Sequence, residues 1–165
     1  MKEFQDEMDV QIAEKMLKFP MIGDELPSTW NVKLSSEFHM TNDNTGGFFK
    51  DKPGPNRHRL FEGKMIWHFS AEYAEPRYWI DEKEGRRKVI GTRNTDKDQT
   101  LDYQQYRFAY RSITGNTNER TMCCTILPKN VFYGHSLNSV KRGKEYFNNY
   151  EMLYFTALMS SYVID

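Results

Sequence analysis

Apolar residues recur through the first segment, FQDEMDVQIAEKMLKF, at four-residue intervals: Phe4, Met8, Ile12 and Met16, with charges between them. That spacing predicts an amphipathic helix with one apolar stripe, ended by Pro20 and Gly23. In WNVKL the period shortens to two. Trp30, Val32 and Leu34 alternate with polar residues, which reads as a half-buried strand. The next stretch, MTNDNTGGFFKDKPGPNRHR, is rich in Asn, Gly and Pro and reads as a long loop, a place where function often sits. Alternation returns in LFEGKMIWHF, with Met65, Trp67 and Phe69 on one face and Lys64, Ile66 and His68 on the other. RYWIDEKEGRRKVIG reads as a hairpin turning near Glu84 and Gly85. QYRFAYRSI sets Tyr106, Phe108 and Tyr110 against Arg107, Ala109 and Arg111, and TMCCTIL forms another strand stopped by Pro128. Helical spacing resumes in NNYEMLYFTALMSSYVID through Tyr150, Leu153, Tyr154, Ala157 and Leu158, with Asn148 or Asn149 as the N-cap.

Helix, several mostly antiparallel strands with long loops, then helix: this order predicts an α+β fold in one domain over residues 1–165. The last helix runs to Ile164 and Asp165 without a capping residue or polar tail, so the chain reads as a piece cut from a longer one.

Composition narrows the field. Aromatic residues make up 15% of the 165, so a sizeable core is within reach. No apolar run approaches a membrane span, and MKEFQDEMDV is not of signal-peptide type, so a cytoplasmic protein without a membrane partner is expected. Lys plus Arg equals Asp plus Glu at 23 each. A polyanion-binding surface therefore needs its positive charge concentrated on one face, or supplied by another part of a larger protein. Cys123 and Cys124 are neighbours, match no metal or redox spacing, and read as two small buried hydrophobes on opposite faces of a strand.

The polar faces of the strands carry the candidate chemistry. Arg107 and Arg111 share one face, Lys64 and His68 another, and Arg120 and Lys129 flank a third strand. If these strands are neighbours, the sheet carries a basic stripe suited to phosphates and guanine edges. The plain alternative is a solvated sheet face. Between two strands lies a polar knot, Asn116 to Thr121, in which Thr117, Asn118 and Thr121 offer neutral donors. A competing reading takes Glu62 and Lys64 as the E-x-K half of a magnesium-dependent nuclease site, completed by Asp43 or Asp51. A third treats the aromatic-rich domain as a protein-interaction module docking a partner subunit. The four histidines have no metal-ligand spacing, and neither a phosphate-cradling Gly loop nor a nucleophile elbow is present.

Four stretches taken in order, WNVKLSSEFHMTNDNTGGFF, RLFEGKMIWHF, YRFAYRSITGNTNERTMCCTILPKNVFYGHSLN and LYFTALMSSYVID, resemble one family. It is the C-terminal target-recognition region of adenine-specific DNA methyltransferases, including the fused methyltransferase–endonucleases of type IIG restriction–modification systems and the BREX-like phage-defence enzymes of bacteria. The matching positions are Phe61-Glu62-Gly63-Lys64-Met65-Ile66 with Phe69, then Arg107 and Arg111, Thr117-Asn118-Glu119-Arg120-Thr121, Ile126-Leu127-Pro128, and Ala157 to Ser161 leading to Asp165. Residues 71–101 match little, Met159-Ser160 stands where the family has Leu-Asn, and the family helix continues past the Asp.

The resemblance implies a double-stranded DNA recognition module attached to the methyltransferase domain of a parent chain. This piece would be non-catalytic and hold no cofactor or metal of its own. S-adenosylmethionine, and magnesium where an endonuclease is fused, would belong to the parent. Lys64, His68, Arg107, Arg111, Asn118, Arg120 and Lys129 are the expected DNA-facing residues. Glu62, Gly63, Thr117, Glu119 and Thr121 are expected to hold the motif's shape. A motif shared by proteins that read different sequences suits scaffold or phosphate contact. Base reading then falls to the loop from Asn42 to Arg59 and to the region from Arg77 to Arg93.

Overall fold

The computed structural model describes residues 6–27, 30–115, 118–141, 148–162 and 164. Where the pattern suggests one domain over 1–165, the chain divides into two compact units, Met1–Lys33 and Leu34–Asp165. In the first, α1 spans Glu7–Met16, and the Asp6 carboxylate caps it by accepting the Asp9 N–H at 3.0 Å. Met8, Ile12 and Met16 lie on this helix as expected and are exposed, while Phe4 lies outside the described residues.

The second unit contains β1 (Leu34–Ser35), α2 (Asn42–Thr45), β2 (Phe49–Lys50), β3 (Arg57–Phe61), β4 (Tyr78–Asp81), α3 (Glu82–Ile90), β5 (Arg107–Arg111), β6 (Cys124–Leu127), β7 (Phe132–Tyr133), β8 (Leu137–Val140) and α4 (Asn149–Met159). The strands form two four-stranded sheets, ordered β1-β8-β5-β6 and β2-β4-β3-β7. Among the described residues these strands pair antiparallel except β3 with β7, where Leu60 faces Phe132 and Phe61 faces Tyr133. The fold is α+β with helices towards both ends of the chain.

Three expected elements take a different form. WNVKL contributes only Leu34 to a strand. LFEGKMIWHF does not continue as a strand past Phe61. A 3-10 turn over Gly63–Met65 follows, which buries both Met65 and Ile66 and breaks the alternation. Gly63 permits this bend, since a Cβ there would meet the Ser136 carbonyl at 3.1 Å. RYWIDEKEGRRKVIG is a strand running directly into a helix, not a hairpin. Asp81 caps α3 through the Lys83 N–H, with Glu82 and Glu84 in its first turn and Arg87 and Lys88 in its last, as the helix dipole favours. Gly85 is not a turn residue; a Cβ there would collide with the Phe132 ring.

The inner face of the second sheet buries Leu60, Tyr78, Ile80 and Phe132 with Phe38, Phe49 and Tyr103. A second core joins Phe61, Met65, Ile66 and Tyr133 to Ala109, Leu127 and Leu137 of the first sheet. On that sheet's other face α4 packs through Met152 and Phe155, Phe155 meeting Phe108 edge-on at 4.9 Å. Asn148 caps α4 as expected, accepting from the N–H groups of Tyr150 and Glu151 while Glu151 accepts from the Asn148 N–H. Cys123 and Cys124 are buried thiols. Cys123 lies 3.8 Å from His68 Nε2 and Cys124 lies 3.1 Å from the Ser160 hydroxyl of the segment that follows α4.

Candidate nucleic-acid interface

β5 is covered on both faces, and this decides where its arginines go. The aromatic face meets α4. The face shared by Arg107, Ala109 and Arg111 turns towards the core around Phe61 and Ile66. Arg107 is 1% exposed. Its Nη1 donates to Glu37 Oε1 at 2.5 Å, its Nη2 donates to the Val131 carbonyl at 2.6 Å, and its guanidinium lies 4.8 Å from the Tyr133 ring centre. Glu37 in turn accepts the Tyr133 N–H at 3.1 Å. Burial pushes the Glu37 carboxyl above its ordinary value, against the opposing pull of Arg107. Arg107 is therefore an internal structural cation and not the DNA contact expected of it.

Arg111 is half-buried. It donates Nε to the Gly63 carbonyl at 2.8 Å and Nη2 to the Ile66 carbonyl at 2.6 Å, and lies 4.8 Å from the Trp67 ring centre. It holds the bend after β3 in place. His68 sits half-buried between Trp67 and Cys123. Arg120 donates to the Ser160 carbonyl at 2.6 Å and lies 4.1 Å from the Tyr162 ring, fastening the chain just beyond α4. Asn118 is half-buried in a bend, its N–H donating to the Gly115 carbonyl, and Glu119 and Thr121 are exposed; Thr117 lies outside the described residues. Lys129 is exposed beside the Tyr106 ring. Lys64 is exposed on the 3-10 turn, 3.4 Å from Glu62. The expected basic stripe is thus dispersed. Among the described residues Lys64, Arg111, Glu62 and Gly63 come together, around a hollow of about 320 Å³ shared with Ile113 and Ser136.

A different cationic surface is assembled by the second sheet. Lys50 of β2 faces Trp79 of β4, which faces Arg59 of β3, and Arg57 faces Asp81 one row along. Side chains directly opposite in antiparallel strands share a face, so Lys50, Trp79, Arg59 and Arg57 lie together, away from the face that buries Leu60, Tyr78 and Ile80. All four are partly exposed. Each cation has partners: Lys50 Nζ donates to the Gly47 carbonyl and lies 3.5 Å from Glu84, Arg57 Nη1 donates to the Lys52 carbonyl, and Arg59 is 3.8 Å from Glu72 and 5.4 Å from the Phe61 ring centre. Arg77 stands nearby in sequence, stacked on Tyr78 and exposed. The signal for this face was present in NRHRL, where two arginines alternate around His58, within a stretch that otherwise reads as loop.

Asp43, one of the carboxylates expected to complete a metal pair with Glu62, is buried and engaged by Lys88 and by the His39 N–H. Among the described residues no group of three His, Cys, Asp or Glu side chains is placed to hold a metal ion, and no helix is long and apolar enough to cross a membrane. No protein-family model, curated protein or solved structure matches the chain.

Proposed function

We propose that this chain is a sequence-specific double-stranded DNA recognition module of a bacterial, cytoplasmic adenine-specific DNA methyltransferase, with or without a fused endonuclease. In this reading it touches the duplex through the outer face of β2, β4 and β3. The observation that carries the proposal is the row Lys50–Trp79–Arg59 with Arg57 beside it: cations around a half-exposed indole, suited to phosphates and base edges. Support also comes from placement. The two stretches to which the family resemblance leaves base reading, Asn42 to Arg59 and Arg77 to Arg93, meet in this one sheet and its helix α3. Chemistry on S-adenosylmethionine would belong to the attached methyltransferase domain. The shared motif, with Arg111 and Arg120 spent on backbone carbonyls, supplies rigidity in this scheme.

The test is duplex affinity measured across a salt series for the wild type and for Arg57→Glu/Arg59→Glu. The variant should bind more weakly to all sequences, with a log–log salt slope shallower by about one unit per lost phosphate contact. Unchanged affinity and slope would remove this face from the interface.

A further inference from the structure

The outward side of α4 is apolar. Tyr150, Leu153, Tyr154, Ala157 and Leu158 form the stripe expected from their spacing, and all five are exposed. The helix packs onto the first sheet through a different side, Met152, Phe155 and Thr156. A helix apolar on both sides has the pattern of one that is covered all round. Of its 11 residues Glu151 alone is charged, and that carboxylate accepts the Asn148 N–H at 2.8 Å. Beside the stripe lies a hollow of about 600 Å³ lined by Phe69, Tyr106, Ile126, Pro128, Leu153 and Ala157. Glu72, the charged residue of its lining, lies 3.8 Å from Arg59. Phe69 is 71% exposed and held in the left-handed region, φ 60°. Its turn is closed by the Trp67 N–H donating to the Ser70 carbonyl at 2.9 Å and the Ser70 N–H donating to the Trp67 carbonyl at 3.1 Å. A bulky residue in that region is strained, and strain of this kind gathers where a side chain is used.

What the surface lacks selects its occupant. α4 carries no Lys or Arg, so it matches neither a phosphate backbone nor an anionic membrane. A small ligand in the hollow would leave Tyr150, Tyr154 and Leu158 uncovered, since they lie outside its lining. Phe69, Tyr150, Leu153, Tyr154 and Leu158 are between 41% and 84% exposed. At about 150–200 Å² for each such side chain fully exposed, they present on the order of 600 Å². That is at the top of the range for a monomer's largest apolar patch. It also suffices for the apolar part of the roughly 800 Å² that each partner gives to a stable interface. A two-fold contact needs protrusion and recess on one patch, without charge that repels its own image. Here the Phe69 ring is the protrusion, the hollow is the recess, and the helix stripe is uncharged. We propose that two copies of this chain pair about a two-fold axis through the outward stripe of α4 and the Phe69 hollow.

The test is sedimentation equilibrium of the full chain over about 1–100 µM, where the mass should rise from one chain to two and no further. Leu153→Glu, at an exposed position and in a residue type that suits helices, should weaken pairing about tenfold or more with an unchanged far-UV spectrum. Phe69→Gly removes the ring and relieves the turn. It should weaken pairing as much, yet melt no earlier than the wild type at concentrations where both are single chains. That second readout separates an interface role from a purely structural one. Chains that stay single throughout overturn the proposal; flotation with phosphatidylcholine vesicles then tells a lipid surface from an unlike protein as the cover. A pair that survives both substitutions, or a mass that climbs past two chains, overturns it as well. No nucleic acid enters the measurement, so its outcome is independent of the DNA reading.

Discussion

At the scale of single residues, the Arg107–Glu37 pair shows why charge alternation misleads. Arg107 alternates with aromatics as a solvent-facing residue would, yet its partner lies 70 positions away and no local pattern announces it. Breaking a buried pair by removing one partner leaves an uncompensated charge, at a cost of about 3–5 kcal/mol. Glu37→Gln should therefore lower stability by about that much in denaturant titration, whereas replacing both partners with apolar residues should cost far less. Tyr133 adds a pH dependence. Burial, with Glu37 nearby, raises its phenol well above the ordinary value. A raised folded-state value favours the protonated form, so its contribution is complete below the unfolded value of about 10 and declines as pH rises beyond it. Stability should fall above about pH 10, and the fall should be shallower in Tyr133→Phe, read from unfolding at several alkaline pH values. Burial also raises Tyr103, and that share of the decline should remain in the variant.

At the scale of elements, what was legible depended on whether local pattern or distant packing decided the outcome. α4, its Asn148 cap, β5 and β6 followed from periodicity and capping chemistry alone. The β4–α3 unit did not, because Gly85 reads as a turn residue when only its neighbours are seen. Its true cause is the Phe132 ring, brought against the helix from 47 residues later. The acidic first turn and basic last turn of α3 were the available signal for a helix. Gly85→Ala gains helix propensity of up to about 1 kcal/mol but inserts a methyl group into an occupied space, which typically costs about 1–3 kcal/mol. The variant should be net destabilised in thermal melts, and Phe132→Leu in the same chain should recover part of the loss. Likewise EGKMI alternates as a strand does, and only the approach of Ser136 reveals the bend.

At the scale of the whole chain, a formal charge of zero leaves little long-range field to draw a polyanion in. On the proposed function, duplex affinity has to come from short-range placement, for which the Lys50–Trp79–Arg59 row is the candidate. The α+β class was legible as a succession of periods. The division into two sheets was not, because order within a sheet depends on pairings between remote segments. Neither was the candidate surface, since Lys50, Arg59 and Trp79 become neighbours only through register.

The parallel contact of β3 with β7 has a consequence for how the protein is born. During synthesis β3 emerges with β4 soon after it, but Leu60 and Phe61 keep one open side until Phe132 and Tyr133 leave the ribosome some seventy residues later. Phe132 is also the ring that closes over Gly85. Completion of the second sheet is thus reserved for a late moment of translation, and until then a nascent chain carries a sticky, half-built edge that chaperones are suited to shield.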